Sequence, residues 1–119
     1  MDQLNITFLA LSDPTRRVIL ERLRRGSATV NELAEPFGVS QQAISKHLAY
    51  LERASLIEKR KEGREQFCSL RAAPLQQAYE WMDEYRQFWE GAFDRLDALL
   101  QRLQQPQRQQ SKRNVRNRR

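Results

Sequence analysis

Four polar side chains in the middle of the chain have the types and the spacing needed to read nucleic-acid bases. Gln41, Gln42, Ser45 and Lys46 lie on the exposed side of a predicted amphipathic helix. A glutamine amide both donates and accepts, which suits the edge of adenine, whereas a serine hydroxyl adapts to several bases and a lysine reaches guanine or a phosphate. We predict that these four side chains contact bases in the major groove.

A cluster of cations follows this helix. Lys59, Arg60 and Lys61 end one predicted strand, and Arg64 stands in the turn to the next strand. A hairpin that carries them can lie along the phosphate backbone or enter the minor groove, so we predict backbone contacts for these residues and for Ser40 at the start of the helix. A solvated hairpin without a partner is the alternative, but its position after a recognition-type helix favours a nucleic-acid contact.

Other chemistries lack the residues that they need. The sequence shows no Ser-His-Asp set, glycine-rich phosphate loop or paired acid and base, so we predict no enzymatic activity. One cysteine, Cys68, and one histidine, His47, cannot supply clustered thiolate or imidazole ligands, so we predict neither a metal site nor a cofactor. We expect Cys68 to fill space in a strand rather than to act as a redox switch, and His47 to pack or to meet a phosphate.

Two helices are predicted near the N-terminus. The first spans residues 3–11, where apolar residues recur at helical spacing. Asp13 suits the N-cap and Pro14 the first turn of the second helix, which is predicted to end at Gly26. The buried side of the second helix is predicted to contain Val18, Ile19, Leu20 and Leu23.

A short helix, a turn and a longer helix follow. Thr29 and Glu32 have the spacing of a capping box for a short third helix. Ser40 is predicted to cap the fourth helix, which runs to about Arg53. Its buried stripe is predicted to consist of Ile44, Leu48 and Leu51. Two short helices separated by a turn, with a polar N-terminal surface on the second, are typical of a helix-turn-helix.

The remaining elements are two strands and one long helix. Residues 57–61 and 65–70 alternate as strands, and helical periodicity then continues from Leu75 to Leu103 as a heptad seam. The apolar stripe is too broad for so small a body to cover, so we predict that part of it faces a second copy of the chain. The residues of this stripe that are predicted to contact that copy include Tyr79, Met82, Tyr85, Trp89 and Leu96.

Charge is unevenly distributed along the 119 residues. The net charge is +6, and residues 105–119 carry six cations and no acid, so the rest of the chain is neutral. Residues 40–71 carry seven cations against four acids, whereas residues 75–104 carry three against six. This polarity favours a polyanionic partner for the helix and hairpin. We predict one domain over residues 1–104 and a basic disordered tail over 105–119.

No signal peptide or membrane-spanning run is recognisable. An acid stands where a signal peptide has basic residues, and no segment approaches the roughly 20 apolar residues that cross a bilayer. A single cysteine cannot form an internal disulfide. We therefore predict a cytoplasmic protein without a membrane partner.

The runs "LSDPTRRVILERL" and "TVNELAEPFGVSQQAISKHLAYLERASLIEKRKEGREQF" resemble the ArsR family of bacterial winged-helix repressors, and the resemblance covers roughly residues 5–104. It implies a mainly α, winged helix-turn-helix fold with the order helix-helix-helix-helix-strand-strand-helix. It also implies a homodimer, joined through its first and last helices with Leu4 and Phe8 among the contacts of the first helix, that binds an inverted-repeat DNA operator near its own promoter. Repression by such a protein could be relieved by a small-molecule inducer, by a partner protein or by falling concentration.

The chain departs from the metal-sensing members of this family. Their thiolate site would place cysteines where Thr29, Asn31 and Ala34 stand, and their other familiar site uses histidine and aspartate ligands on a last helix that here has no histidine. The resemblance is therefore to the metal-independent branch.

Two further hypotheses remain open at this point. In the first, the winged helix is only a scaffold and the long aromatic helix docks a partner protein. In the second, the basic tail leads general nucleic-acid binding. The docking hypothesis predicts a folded monomer without an operator. The tail hypothesis predicts that truncation after Gln104 abolishes binding.

Overall fold

The computed structural model describes residues 1–104, which form two compact units, one comprising residues 1–81 and the other beginning at Met82. The helices are α1 (Gln3–Leu11), α2 (Pro14–Leu23), α3 (Val30–Ala34), α4 (Gln41–Arg53), α5 (Ala73–Asp83) and α6 (Arg86–Gln104). The strands are β1 (Ala28–Thr29), β2 (Ile57–Glu62) and β3 (Glu65–Leu70). The predicted class, a mainly helical winged helix-turn-helix, is confirmed.

Side-chain caps begin the first four helices. Asp2 accepts from the N–H of Asn5 and begins α1, while Asp13 accepts from the N–H of Arg16 and begins α2 with Pro14 in its first turn. A full capping box begins α3, because Thr29 accepts from the N–H of Glu32 and the Glu32 carboxylate accepts from the N–H of Thr29. These helix starts therefore follow from local sequence.

The helix-turn-helix consists of α3, a 3₁₀ turn over Glu35–Phe37, a turn at Gly38, and α4. The helix α3 is short, as predicted, because Pro36 in the 3₁₀ turn lacks the N–H that would continue it. Gly38 has a φ of 63°, a left-handed conformation that glycine adopts without a side-chain clash. The turn thereby redirects the chain into α4, whose N-cap is Ser40.

A three-stranded antiparallel sheet follows in the order β1-β3-β2. Its hairpin pairs Ile57 with Leu70 at one end and Glu62 with Glu65 at the other, with a two-residue loop at the tip. Gly63 opens that loop with a φ of 62°, as tight hairpins between twisted strands require. No sequence pattern predicts β1, which is two residues long and pairs with Phe67 and Cys68 of β3.

The core of the first unit lies between α2, α3, α4 and the sheet. Its fully buried apolar side chains include Ile19, Leu33, Ile44, Leu48, Leu51, Leu56 and Ile57. Each contributes roughly 1.5–3 kcal/mol by leaving water. The three residues predicted for the α4 stripe are all among them, which orients the rest of that helix toward solvent.

Two predicted details are wrong. Val18, predicted on the buried side of α2, is 45% exposed, because Ile19, Leu20 and Leu23 lie about 100–160° around the helix from it. The long helix predicted from Leu75 to Leu103 is interrupted at residues 84–85 and becomes α5 and α6. No glycine or proline stands at the break, so the heptad pattern continues across it and hides it.

Candidate nucleic-acid interface

The N-terminal half of α4 presents the four predicted base-reading side chains. Gln41, Gln42, Ser45 and Lys46 are all exposed, because the apolar stripe of the helix is turned into the core. Ser40 accepts from the N–H of Ala43 at 3.2 Å and thereby fixes the first turn. The surface offers amide, hydroxyl and ammonium groups at the end of the helix that would enter a groove first.

Asn31 belongs to this surface, although no sequence pattern indicates it. It lies on α3, and its Oδ1 accepts from Nε2 of Gln41 at 3.1 Å. This bond joins the two helices of the helix-turn-helix on their exposed side and orients the Gln41 amide. The sequence gives no periodic signal for this contact, because Asn31 and Gln41 are ten residues apart. The polar side chain of Asn31 is the one feature that could have indicated it.

The wing cations occupy different environments. Lys61 and Arg64 are exposed, and neither pairs with a carboxylate among residues 1–104. Arg60 is exposed and lies 3.6 Å from Glu62, a contact that water and salt weaken. The tip of the wing therefore carries cations that remain available to a polyanion.

Lys59 lies elsewhere on the wing. Its side chain is only 18% exposed, and its Nζ lies 3.5 Å from a carboxylate oxygen of Glu52 in α4. Strand alternation turns it toward the body, whereas Arg60 points outward. In this structure Lys59 joins the wing to α4, unlike the other three cations predicted with it.

His47 and Asp13 connect α4 to the start of α2, with Nδ1 of His47 3.7 Å from Oδ2 of Asp13. The N–H of Arg16, which donates to the Asp13 carboxylate, is the main cause that holds the pKa of Asp13 below its ordinary value of 3.8. Nearby His47 acts in the same direction, while desolvation opposes it. The half-buried His47 side chain therefore contacts Asp13 of the same domain.

Cys68 is fully buried in β3, opposite Ala28 and Lys59. Burial raises the pKa of its thiol above the ordinary value of 9.0, Lys59 lowers it, and Glu52 raises it further. A buried thiol with a raised pKa is a poor nucleophile at neutral pH. Its surroundings are those of a small apolar residue in the core.

The residues predicted to contact a second copy lie in both units. Leu4 and Phe8 of α1 are half-buried, and the Phe8 ring makes an edge contact with Trp81 at a centroid distance of 5.9 Å. Tyr79, Met82, Tyr85, Trp89 and Leu96 are all exposed. In α6 no residue is buried, although large apolar side chains recur along it. They are Phe88, Trp89, Phe93, Leu96, Leu99, Leu100 and Leu103.

Residues 1–104 contain neither a metal-binding cluster nor a membrane-spanning helix. No group of three or more histidine, cysteine, aspartate or glutamate side chains in this range is placed to hold a metal ion. No helix in this part of the chain is long and apolar enough to cross a bilayer.

A helix-turn-helix with an exposed polar helix start, followed by an antiparallel wing with available cations, defines the class of winged-helix DNA-binding proteins. Comparison with known proteins agrees. A helix-turn-helix domain profile matches residues 11–60. The transcriptional repressor SdpR of Bacillus subtilis (strain 168) is 40% identical over 79 residues, which are 66% of this chain and 88% of that protein.

Solved structures show the same relationship over more of the chain. The crystal structure of an ArsR family transcriptional regulator, RHA00566, is 43% identical and matches with a TM-score of 0.67, covering 74% of this chain and 91% of that one. An ArsR-like transcriptional regulator from Rhodococcus sp. RHA1 is 34% identical with a TM-score of 0.62, covering 87% and 94%. The chain belongs to the ArsR family of transcriptional regulators.

A shorter match adds a second curated relative. The regulator Rv2034 of Mycobacterium tuberculosis (strain ATCC 25618 / H37Rv) is 48% identical over 54 residues, which are 45% of this chain and half of that protein. Family membership confirms two predictions: that the chain is a DNA-binding transcriptional regulator, and that it is not an enzyme.

Proposed function

We propose that the protein is a homodimeric, sequence-specific repressor that binds an inverted-repeat operator. The observation that carries this proposal is the exposed polar N-terminal surface of α4, in a domain whose wing also carries available cations. A helix of about 10–12 Å in diameter fits the major groove, which is about 12 Å wide. The polar surface of α4 is therefore the part of the domain best suited to meet base edges.

The residues divide into two roles in this proposal. Gln41, Gln42, Ser45 and Lys46 read bases, with the glutamines suited to adenine. Ser40, Arg60, Lys61 and Arg64 contact the phosphate backbone, and Lys59 contributes mainly by holding the wing against α4. Specific affinity should lie on the order of 10⁻⁸ to 10⁻¹¹ M and fall steeply with salt, because each neutralised phosphate releases counterions.

Dimerisation through α1 and the last two helices completes the proposal. The apolar residues of α6 recur at steps of three and four, and all are exposed in the single chain. A stripe of this length is typical of a surface that pairs with another helix. A twofold dimer would bring two copies of α4 to successive major grooves, about 34 Å apart.

The operation of this repressor is proposed to be independent of a bound metal. Residues 29, 31 and 34 carry a hydroxyl, an amide and a methyl group instead of thiolates. Thr29 is further committed to the capping box of α3. The donor set that soft or borderline metals prefer is not assembled there. Residues 1–104 are the proposed DNA-binding and dimerisation domain, while the predicted tail at 105–119 lies outside the described residues.

A mobility-shift titration tests this function. The probe is a duplex of the intergenic DNA upstream of the gene, and the control is a scrambled duplex of equal length and composition. A preference of about 1,000-fold or more for the upstream duplex supports the specific repressor. Equal affinity for the two duplexes contradicts it.

A second candidate is a scaffold whose α6 docks a different protein. The exposed apolar side chains of α6 favour it, since any apolar partner could cover them. Light scattering at micromolar concentration separates the two proposals. A dimer supports the repressor, and a folded monomer without operator binding supports the docking module.

A further inference from the structure

The Arg16 side chain joins α1 to the recognition helix α4. Its Nε donates to the carbonyl of Ala10 at 2.8 Å and one Nη donates to the carbonyl of Leu9 at 3.0 Å, both in the last turns of α1. The same guanidinium lies over the ring of Tyr50 in α4, with its central carbon 4.0 Å from the ring centroid. A planar arginine fork can bind two acceptors at its edge while its face covers a ring, which a lysine cannot do.

Two other contacts join the same elements. Nε2 of Gln3, near the start of α1, donates to the carbonyl of Ala54 at the end of α4 at 3.0 Å. Asp13, between α1 and α2, lies 3.7 Å from His47 of α4. His47, Tyr50 and Ala54 lie within about 60° of one another around α4 and about 80–140° from Gln42. The direction of α4 relative to α1 is thus held at three points, and Arg16 makes the most extensive of these contacts.

We propose that Arg16 is a positioning residue for operator recognition. By fixing α4 against α1, it determines the distance between the two recognition helices of the dimer, and so the half-site spacing that the dimer accepts. This inference rests on the proposed function, in which α1 contributes to the dimer interface.

A small change in the orientation of α4 at Tyr50 would displace the residues at its N-terminal end. Tyr50 and Gln42 are eight residues apart, or about 12 Å along the helix. A tilt of about 10° at Tyr50 would move the Gln42 end by roughly 2 Å. Hydrogen bonds to base edges tolerate only a few tenths of an ångström, so a dimer whose helices have moved this far no longer fits both natural half-sites at once. One subunit can still dock on a single half-site. Loss of the Arg16 contacts should therefore change which spacing fits before it changes whether DNA is bound.

The neighbouring Arg17 provides a matched control. Its Nη1 donates to the carbonyl of Leu11 at 2.7 Å, so it also braces the end of α1. Its guanidinium makes no ring contact with α4 among the described residues. Arg17→Lys thus disturbs a similar bond to α1 and leaves the link to Tyr50 intact.

The test uses the site that the full-length wild-type protein protects on the upstream duplex. Three further duplexes carry the same site with one base pair added between the half-sites, with one removed, or with a single half-site. Arg16→Met and Arg16→Lys should each lose about tenfold affinity for the natural spacing, as the contacts that hold one geometry are lost. Both should keep wild-type affinity for the single half-site and should discriminate less between spacings. Arg17→Lys should behave as wild type.

Tyr50 variants keep the test decisive if the Arg16 variants fold poorly. Tyr50→Leu removes the ring under the guanidinium and should reproduce the loss of spacing preference, whereas Tyr50→Phe keeps the ring and should not. Unchanged spacing preference in folded Arg16 or Tyr50→Leu variants overturns the inference, and so does an equal loss on every duplex, the half-site included. If the wild-type protein protects no site at all, the proposed function fails before any variant is compared.

Discussion

At the scale of single residues, the proposed function gives different roles to an exposed amide and an exposed guanidinium. Gln42 is exposed on the helix that would enter the groove, whereas Arg64 is exposed at the tip of the wing. An amide distinguishes base edges by donor and acceptor pattern, whereas a guanidinium at a phosphate meets the same group in every sequence.

These roles predict different binding defects. Gln42→Ala should weaken operator binding by about 1–3 kcal/mol and leave affinity for scrambled duplex unchanged, which relaxes specificity. Arg64→Ala should weaken both duplexes alike and reduce the slope of log affinity against log salt by about one. Titrations of both duplexes at several salt concentrations measure this. Parallel losses for Gln42→Ala, or a sequence-dependent loss for Arg64→Ala, would contradict the assignment.

Acid sensitivity should arise partly at Asp13. Its pKa is lowered in the folded protein, mainly by the N–H of Arg16, so its contribution to stability is present above the ordinary value of 3.8 and is lost as pH falls through the folded pKa. Asp13→Asn still caps α2 but has no charge to titrate. The melting temperature of the wild type should exceed that of the variant at pH 7, and the difference should shrink as pH falls below 3.8.

A constant difference between the two melting temperatures across this pH range would show that the Asp13 charge does not stabilise the fold. The pKa of the Glu32 carboxyl is also lowered, from its ordinary value of 4.5, mainly because the N–H of Thr29 donates to it. The comparison of Asp13 with its asparagine variant separates the two carboxylates, since Glu32 is present in both proteins.

Sequence predicted the residues whose partners are local. The caps at Asp13, Thr29 and Ser40 follow from hydrogen bonds within three residues, and the α4 stripe from helical period. The bond between Asn31 and Gln41 depends on how the turn at Gly38 folds, which no local pattern encodes. The same holds for the ion pair of Lys59 with Glu52, since it joins a strand to a helix.

At the scale of elements, the backbone conformation at the C-terminal end of α4 lowers the stability of the fold. Ser55 has a φ of 63°, and the N–H of Leu56 donates to the carbonyl of Leu51 while the N–H of Ser55 donates to that of Glu52. This is a Schellman motif, in which glycine usually occupies the left-handed position. A serine there adds strain that glycine would not.

Ser55→Gly should therefore raise the free energy of unfolding by about 0.5–1 kcal/mol without changing operator affinity. Gly38→Ala is the converse change, because Gly38 has the same φ and an added Cβ would meet nothing within 4 Å. It should lower the free energy of unfolding by about 1 kcal/mol through backbone conformation alone. Urea denaturation of both variants provides the measurement, and a destabilised Ser55→Gly would refute this reading of the motif.

Element boundaries were less predictable than element types. β1 consists of two residues and exists because β3 is beside it, so no periodicity could indicate it. The break between α5 and α6 lies in a segment with continuous heptad spacing. Val18 is a similar case within one helix. Its apolar side chain led to a prediction of burial, but its angular position on α2 places it outside the buried stripe.

At the scale of the whole molecule, the proposed function depends on a dimer that presents the polar surface of α4 twice. The apolar side chains of α6 are the largest exposed set that such an interface would cover. Leu96 lies near the middle of this stripe, whereas exposed Ala98 lies about 160° around the helix from it. Substitution by aspartate at these two positions therefore adds the same charge on opposite sides of α6, and only Leu96 lies in the apolar stripe.

Leu96→Asp should weaken dimerisation by about 100-fold or more, because an unpaired carboxylate in an apolar interface costs about 3 kcal/mol or more. Ala98→Asp should leave the dimer intact. Sedimentation equilibrium of both variants distinguishes them. If both remain dimers, or both dissociate, the apolar stripe of α6 is not the dimer interface.

The central claim is that two copies of the α4 surface read one duplex. Selection of binding sites from a library of random-sequence duplexes tests it directly, because the protein itself chooses the operator sequence. The enriched sites should form an inverted repeat whose half-site centres lie about one helical turn apart, or a multiple of it. Enrichment of a motif without twofold symmetry, or no enrichment over the starting library, would contradict the claim.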